Sequence, residues 1–455
     1  MGIQFGPDFV FGTATAAYQV EGGVNEGGRG PSIWDTFSHT PGKTWQSDTG
    51  DVACDHYHRM DEDLDLMAEL GLDSYRFSIA WSRIQPKGTG PVNQAGMDFY
   101  SRLVDGLLER GITPLATLYH WDLPQALQDK GGWPARDTAY RFADYADVVA
   151  QALGDRVAMW ATLNEPWCSA MVGHASGVHA PGLRSPAKAI AAAHHLNLAH
   201  GLAVQALRSR TKAQIGVVLN VHQLYPASDS GEDLQALAIA QATGNWLYSD
   251  PMLKGRYDEL TIEAMKPHTD WEFVHDGDLD LIRQDLDYVG LNYYFPSTVR
   301  AATSRIASSD PSPWVGAESV EFLDPRPPFT EMGWPIDPHG LTDVIVDFHS
   351  RYPDVDLVVS ENGAAMPDRV WDDGKVHDHD RIDYLDSHIR AVHDAINAGA
   401  PVKGYYVWSL MDNFEWQNGY SKRFGILRVD YDTCDRSWKD SARWYQQFLA
   451  TRTLP

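Results

Sequence analysis

Two glutamates stand at the ends of strongly apolar runs of the chain. Glu165 closes the run MWATLNE (159–165), directly before Pro166, and Glu361 closes LVVSE (357–361). A glutamate is rarely buried unless another group pairs with it, so each one either reaches solvent or lies in a pocket. Two carboxyl groups in one pocket could cleave a glycosidic bond, with one donating a proton and the other attacking the anomeric carbon.

Other polar and aromatic residues lie at or near the ends of similar runs. They are Gln19, Arg76, His120, Trp121, Asn164, Asn292, Tyr294, Trp408, Glu415 and Trp416. Some polar residues are expected wherever strands meet solvent, but this set mixes acids, amides, a histidine and several tryptophans. Such a set can hydrogen-bond many hydroxyl groups and stack on a sugar ring. The pattern therefore predicts a carbohydrate site.

Each of these residues also has a structural interpretation. Either glutamate alone could belong to an ion pair, His120 could be a core histidine, and Arg76 could balance buried carboxylates. The stretch HDHD (377–380) suggests a metal site, but it lies in a segment rich in Asp, Gly and Lys. Solvated or capping residues are more common there, with Asp380 as the helix N-cap. We expect no metal and no cofactor.

Eight β-rich runs alternate with stretches of helical period. The runs cover residues 9–19, 74–81, 113–120, 158–165, 214–220, 287–294, 357–363 and 402–410. Predicted helices over 55–71, 99–111 and 381–399 each end at a glycine. The alternation indicates a parallel sheet covered by helices, and no glycine-rich dinucleotide motif follows the first run. We therefore predict an α/β protein with one (β/α)8 TIM barrel domain spanning residues 1–455.

The catalytic face of such a barrel lies at the C-terminal ends of its strands, where the polar residues above would meet. Two long stretches, 21–51 and 295–334, have no clear period. Loops of this length in a compact domain are usually functional or disordered, and we expect them to surround the catalytic face.

The composition indicates which partners, metal sites and cellular compartments the protein can have. The formal net charge is −25, which argues against nucleic acid and anionic membranes as partners. The three cysteines have no CxxC spacing and indicate neither a disulfide framework nor a zinc site. No segment is apolar enough to span a membrane, and the N-terminus does not resemble a secretion signal, so we expect a cytoplasmic protein.

The motifs resemble those of glycoside hydrolase family 1, the β-glucosidases and their relatives. TLNEP (162–166) and VSENG (359–363) are similar to its two signature motifs. Further similar blocks follow the family's order along the whole chain, at 9–23, 76–88, 118–127, 289–294, 330–336 and 407–426.

The resemblance implies a role for each candidate residue in a retaining mechanism. Glu165 would be the general acid/base and Glu361 the nucleophile, with Arg76 and Tyr294 supporting the Glu361 carboxylate. Asn164 would hold the sugar 2-hydroxyl, and Trp334 would flank the leaving group. The remaining substrate-binding residues would be Gln19, His120, Trp121, Asn292, Trp408, Glu415, Trp416 and Phe424, with Trp167, Cys168 and His179 near the pocket mouth.

The expected activity is that of an exo-acting, retaining β-D-glucosidase with β-galactosidase and β-fucosidase side activity. A 6-phospho-β-glucosidase is less compatible with the sequence, because Glu415 would repel a 6-phosphate, although Lys422 and Arg423 lie close by. A transglycosidase of the same family stays open, and the sequence says nothing about the aglycone or the oligomeric state.

Overall fold

A computed structural model describes residues 2–303 and 311–455. Its centre is a closed barrel of eight parallel strands, in which each strand pairs with the next along the chain and the last pairs with the first. The barrel strands, β1 to β8, are Val10–Ala14, Ser74–Ser78, Thr113–Thr117, Met159–Asn164, Gln214–Asn220, Tyr288–Asn292, Asp356–Asn362 and Val402–Trp408. All eight predicted runs therefore contain a barrel strand, and the predicted fold is confirmed.

Helices connect the strands and cover the barrel. The α-helices are Ala17–Val20, Ile33–Ser38, His56–Leu70, Trp81–Ile84, Gln94–Glu109, Gln125–Gln128, Asp137–Leu153, Pro186–Arg210, Gly231–Gln241, Leu247–Lys254, Glu259–Met265, Asp278–Ile282, Pro338–Arg351, His379–Asn397 and Asp440–Thr451. Single π-helical segments cover Cys168–Ser176 and Ala242–Trp246, and 3-10 turns cover Trp45–Ser47 and Trp416–Asn418. None of the helices in the described ranges is long and apolar enough to cross a membrane.

Three of the sequence expectations need correction. The first run leaves the barrel after Ala14, so Gln19 lies on a short helix and not on a strand. The stretch 21–51 contains the helix Ile33–Ser38, which Ser32 and Asp35 stabilise through a reciprocal capping box. The helix after the HDHD segment has Asp378 at its N-cap, and Asp380 lies in its first turn.

The stretch 295–334 is also partly regular. Pro296–Ala301 and Val320–Phe322 pair antiparallel, and Pro296–Ala301 pairs parallel with Gln223–Pro226, which forms a small sheet beside the barrel. Residues 304–310 of this predicted loop lie outside the described residues. Two further pairs of short strands, Ile3–Gln4 with Thr453–Leu454 and Leu427–Val429 with Arg436–Trp438, lie outside the barrel.

Two glycines on the barrel strands make room for tyrosine rings. A Cβ atom on Gly12 would lie 2.4 Å from the Ser74 carbonyl oxygen and 2.6 Å from the Tyr406 ring. A Cβ atom on Gly216 would meet the Tyr288 backbone and ring in the same way. Both tyrosines are buried and reach past the strand beside them to the next one, since Tyr406 on β8 bonds to Ser74 on β2 at 2.9 Å and Tyr288 on β6 to the Trp160 carbonyl on β4 at 2.9 Å. The barrel is thus a packed core that holds the strand ends rigidly.

This packing predicts that Gly12→Ala destabilises the protein. The added methyl group would meet backbone as well as a ring, and overpacking of this kind reduces the unfolding free energy by about 1–3 kcal/mol. Denaturant titration followed by fluorescence would measure the change. Gly6→Ala is the matched control, because a Cβ atom there would meet nothing within 4 Å. Equal midpoints for Gly12→Ala and the wild type would contradict the tight packing.

Candidate active site

A cavity of about 290 Å³ opens at the C-terminal ends of the strands. Most of the residues predicted from the sequence line it: His120, Trp121, Glu165, Trp167, Cys168, His179, Asn292, Tyr294, Trp334, Glu361, Trp408, Glu415, Trp416 and Phe424. Three predicted residues, Gln19, Arg76 and Asn164, do not line the cavity but lie fully buried behind its wall. The structure therefore brings the predicted set together around one space.

Strand β7 presents Glu361 to this cavity between two strong donors. Arg76 Nη1 donates to Glu361 Oε1 at 2.6 Å, and the Tyr294 hydroxyl donates to Oε2 at 2.7 Å. The Glu361 side chain is only 4% exposed and the Arg76 side chain is fully buried, so solvent screens this pair weakly. A guanidinium on one oxygen and a phenol on the other both stabilise the carboxylate anion.

Glu165 follows strand β4 and has a different environment. Its Oε1 accepts from Asn292 Nδ2 at 2.8 Å, and its Oε2 lies 3.1 Å from Cys168 Sγ. No cation bonds to it among the described residues. Burial, and secondly the nearby charge of Glu361, raise the pKa of Glu165 to about 7. A substantial fraction of Glu165 therefore carries a proton at neutral pH.

Left-handed backbone conformations recur around the cavity. Glu165 has φ 46°, Trp121 has φ 75° and Trp416 has φ 51°, and none of these residues is a glycine. Such conformations cost of order 1–3 kcal/mol each and persist where the surrounding structure holds them. At Glu165 the holding contacts include a bond from its backbone N–H to the Val218 carbonyl at 2.9 Å. This turn ends the strand and directs the Glu165 side chain into the cavity. With an extended backbone at Glu165 the chain would instead continue past the cavity.

A hydrogen-bond relay sets the protonation of His120. Arg76 Nη2 donates to Asn164 Oδ1 at 2.7 Å, which fixes the orientation of the amide, and Asn164 Nδ2 then donates to His120 Nε2 at 3.0 Å. Burial, and then the charge of Arg76, lower the pKa of His120 well below its usual value, so the ring is neutral. Its single hydrogen is therefore on Nδ1, where it can be donated to a ligand.

Several buried polar atoms of the site have no hydrogen-bond partner in the described part of the chain. They are Gln19 Oε1, His120 Nδ1, Trp167 Nε1, His179 Nδ1, Glu415 Oε2 and Gln417 Oε1. Buried polar groups are normally paired, so these atoms indicate a ligand that carries several hydroxyl groups. Burial, and then Glu361 and Glu165, raise the pKa of Glu415 to about 8, so this carboxyl can donate as well as accept a hydrogen bond at neutral pH.

Aromatic rings close the inner end of the cavity. The Trp416 ring lies 4.5 Å from Trp34 and 4.6 Å from Trp121, measured between ring centroids. His120 stacks on both Trp416 and Trp408, at 5.9 and 5.8 Å. These rings form one packed aromatic cluster, in which Trp121, Trp408 and Trp416 line the cavity.

Sequence reasoning missed part of the lining. The missed residues are Asn220, Val221, His222, Phe295, Ser297, Trp314, Met332 and Gln417. Asn220 ends strand β5, so the rule that identified the other strand ends would have found it. Trp314 packs on His222 at 4.7 Å and reaches the cavity from a distant loop, for which no local signal exists.

The HDHD segment is not part of this cavity. His377 bonds through Nδ1 to Asp440 at 2.7 Å and through Nε2 to Asp373 at 3.2 Å. Asp378 pairs with Arg381 and accepts from the Ser441 hydroxyl at 2.6 Å. These contacts tie two helices together.

Comparisons with known proteins agree with this geometry. The sequence model for glycosyl hydrolase family 1 matches residues 1–454. A bifunctional β-D-glucosidase/β-D-fucosidase of Bifidobacterium breve is 51% identical over 99% of both chains, and β-glucosidase A of Acetivibrio thermocellus is 47% identical over 98% of both. The family 1 β-glucosidase of Thermotoga maritima in complex with isofagomine lactam superposes with a TM-score of 0.94 and 46% identity over all of both chains. The chain belongs to glycosyl hydrolase family 1.

Proposed function

We propose that this protein is an exo-acting, retaining β-D-glucosidase that removes single glucosyl units from the non-reducing ends of β-glucosides. The observation that carries the proposal is the contrast between two carboxyl groups in one cavity. Glu361 is bonded to a guanidinium and a phenol, whereas Glu165 is bonded to an amide and a thiol. A double displacement needs two carboxyl groups in such different surroundings, one to attack the anomeric carbon and one to donate a proton.

In the first step Glu361 attacks the anomeric carbon while Glu165 gives its proton to the leaving oxygen. In the second step Glu165 removes a proton from water, the water oxygen bonds to the anomeric carbon, and the bond to Glu361 breaks. Two inversions give net retention, which is general in this family. Arg76 and Tyr294 each donate to one oxygen of Glu361 and hold the carboxyl group in position for the attack.

The inner half of the cavity suits one uncharged sugar ring. Trp408 offers a flat face, and the unpartnered atoms of His120 and Glu415, which line the cavity, can bond its hydroxyl groups. The aromatic rings packed around Trp416 support exo-action. Fucosidase side activity is compatible with this arrangement, and the Bifidobacterium relative is named for both activities.

A 6-phospho-β-glucosidase fits this site less well. Lys422 Nζ donates to the Glu331 carbonyl at 2.6 Å, and Arg423 Nη1 pairs with Asp412 at 2.6 Å. Neither cation lines the cavity, whereas Glu415 does. A phosphate dianion would therefore meet a carboxyl group and no free cation there.

Azide rescue would test the roles of the two glutamates. Glu361→Ala should lose nearly all hydrolysis, and added azide should restore turnover and yield the α-glucosyl azide, because only one inversion then occurs. Glu165→Ala should lose about 10²- to 10⁴-fold on substrates with poor leaving groups. Azide should then yield the β-glucosyl azide. The anomeric configuration of the glucosyl azide is determined by NMR. A β-azide from Glu361→Ala and an α-azide from Glu165→Ala would mean that the two roles are exchanged.

The pH dependence of kcat/KM should report the titration of Glu165. With a poor leaving group, kcat/KM should fall as pH rises above about 7, because the proton that the leaving oxygen needs has been lost. In Glu165→Ala this alkaline limb should disappear for the same substrate. Glu415→Gln is the control, because it removes another carboxyl that lines the cavity and has a raised pKa, and it should leave the limb in place. An alkaline limb that survives Glu165→Ala but is lost in Glu415→Gln would contradict the assignment.

A substrate panel should separate the candidate activities. p-Nitrophenyl β-glucoside should be cleaved, and its 6-phosphate should be cleaved at least about 100-fold more slowly in kcat/KM, since the described residues that line the cavity offer a phosphate the Glu415 carboxyl and no Lys or Arg side chain. Preference for the phosphorylated substrate would overturn the proposal. Product analysis with concentrated cellobiose would reveal whether sugar acceptors compete with water.

A further inference from the structure

The two oxygens of Glu165 are not equivalent. Oε1 accepts from Asn292 Nδ2, whose amide orientation is fixed because Asn292 Oδ1 accepts from the Ser360 hydroxyl at 2.7 Å. The Asn292 amide group can only donate to Oε1, whereas the thiol beside Oε2 can also accept a hydrogen bond, so the surroundings favour Oε2 as the oxygen that carries the proton. Oε2 is therefore the atom that exchanges the catalytic proton, and Cys168 Sγ lies 3.1 Å from it.

The backbone places this thiol over Oε2. After the left-handed turn at Glu165, the Cys168 N–H donates to the Glu165 carbonyl at 3.0 Å and the segment Cys168–Ser176 begins. Cys168 is half-buried and lines the cavity beside the carboxyl. A thiol can donate or accept a hydrogen bond, but it does both weakly.

We propose that Cys168 is a positioning residue that keeps a hydrogen bond to Glu165 Oε2 in both protonation states. The proposal rests on the acid/base role proposed for Glu165. When Oε2 carries the proton, the O–H group donates a weak hydrogen bond to the sulfur. When Oε2 is an anion, the S–H group donates a hydrogen bond to Oε2.

The sulfur undergoes no net change in the reaction. In the first step the bond from the anomeric carbon to the leaving oxygen breaks, the bond to Glu361 forms, and the Oε2 proton moves to the leaving oxygen. The S–H of Cys168 then turns toward the Oε2 anion. In the second step a water proton moves to Oε2, the water oxygen bonds to the anomeric carbon, the bond to Glu361 breaks, and the sulfur becomes the acceptor again.

The weakness of the sulfur as an acceptor has a consequence for selectivity. The hydrogen bond from the Oε2 proton to the sulfur is weak. Transfer of that proton to the leaving oxygen therefore breaks only a weak interaction. The contribution should matter most for leaving groups that need a full proton and least for those that depart as anions.

Other charged or titratable groups also act on Glu165. Glu361 and Glu415 oppose its ionisation, Arg76 favours it, and the Tyr294 hydroxyl lies in the same cavity. No hydrogen bond joins any of these four to the Glu165 carboxyl in the described ranges. A change at Cys168 can therefore be separated from them.

The experiment compares Cys168→Val, Cys168→Ala and Cys168→Ser by kcat/KM across pH. Val and Ala remove the donor to the anion, so the alkaline limb should move up by about half to one pH unit. On phenyl β-glucoside kcat/KM should fall about 3- to 10-fold, while 2,4-dinitrophenyl β-glucoside should change less than about twofold. Ser restores a donor and acceptor, so its limb should lie at or below that of the wild type. Cys434→Ala is the control and should move neither quantity, since Cys434 does not line the cavity.

Several outcomes would overturn the proposal. One is an unmoved limb in both Cys168→Val and Cys168→Ala. Another is an equal loss on both substrates, which would mark a purely structural role. If the limb is unmoved in these variants but disappears in Glu165→Ala, the inference about Cys168 fails while the proposed function stands. If the limb also survives Glu165→Ala, the proposed acid/base role itself fails.

Discussion

The burial of one guanidinium inside the barrel governs much of the site. Arg76 is fully buried on strand β2 and donates to Glu361, Asn164, the Ser360 carbonyl and Thr117. An unpaired charge in this position would cost several kcal/mol, so the barrel must surround it with acceptors, and one of them must be an anion. Glu361 meets this requirement, because Arg76 Nη1 donates to its Oε1 at 2.6 Å.

The influence of Arg76 extends beyond the carboxylate it touches. By fixing the Asn164 amide it makes His120 Nε2 an acceptor and leaves the hydrogen on Nδ1, facing the cavity. Asn292 is oriented independently, through Ser360, and donates to both Asn164 and Glu165. Each amide in the network has one orientation that satisfies its neighbours, so the site is organised before a ligand arrives.

Glu165 acquires the opposite chemistry in the same cavity because the guanidinium does not reach it. Its partners are an amide and a thiol, and both the loss of water and the charge of Glu361 disfavour its anion. The asymmetry between the two carboxyls thus arises from the position of a single cation relative to two strand ends. Identical side chains therefore have different hydrogen-bond partners and different electrostatic surroundings.

The sequence by itself determined the eight strands, the C-terminal ends of three helices to within about two residues, and the position of both glutamates at strand ends. Apolar runs and glycines such as Gly71, the C-cap of the helix His56–Leu70, report burial and chain reversal within one local segment. Motif order extended this to the family and to most of the cavity lining. Only the tertiary structure decided the small sheet formed by Gln223–Pro226 with Pro296–Ala301 and the approach of Trp314 to the cavity. It also decided that the hydrogen of His120 is on Nδ1 and that the Cys168 thiol contacts Glu165 Oε2. These features depend on atoms brought together by closure of the barrel and by long loops, and no periodicity within a single segment encodes such contacts.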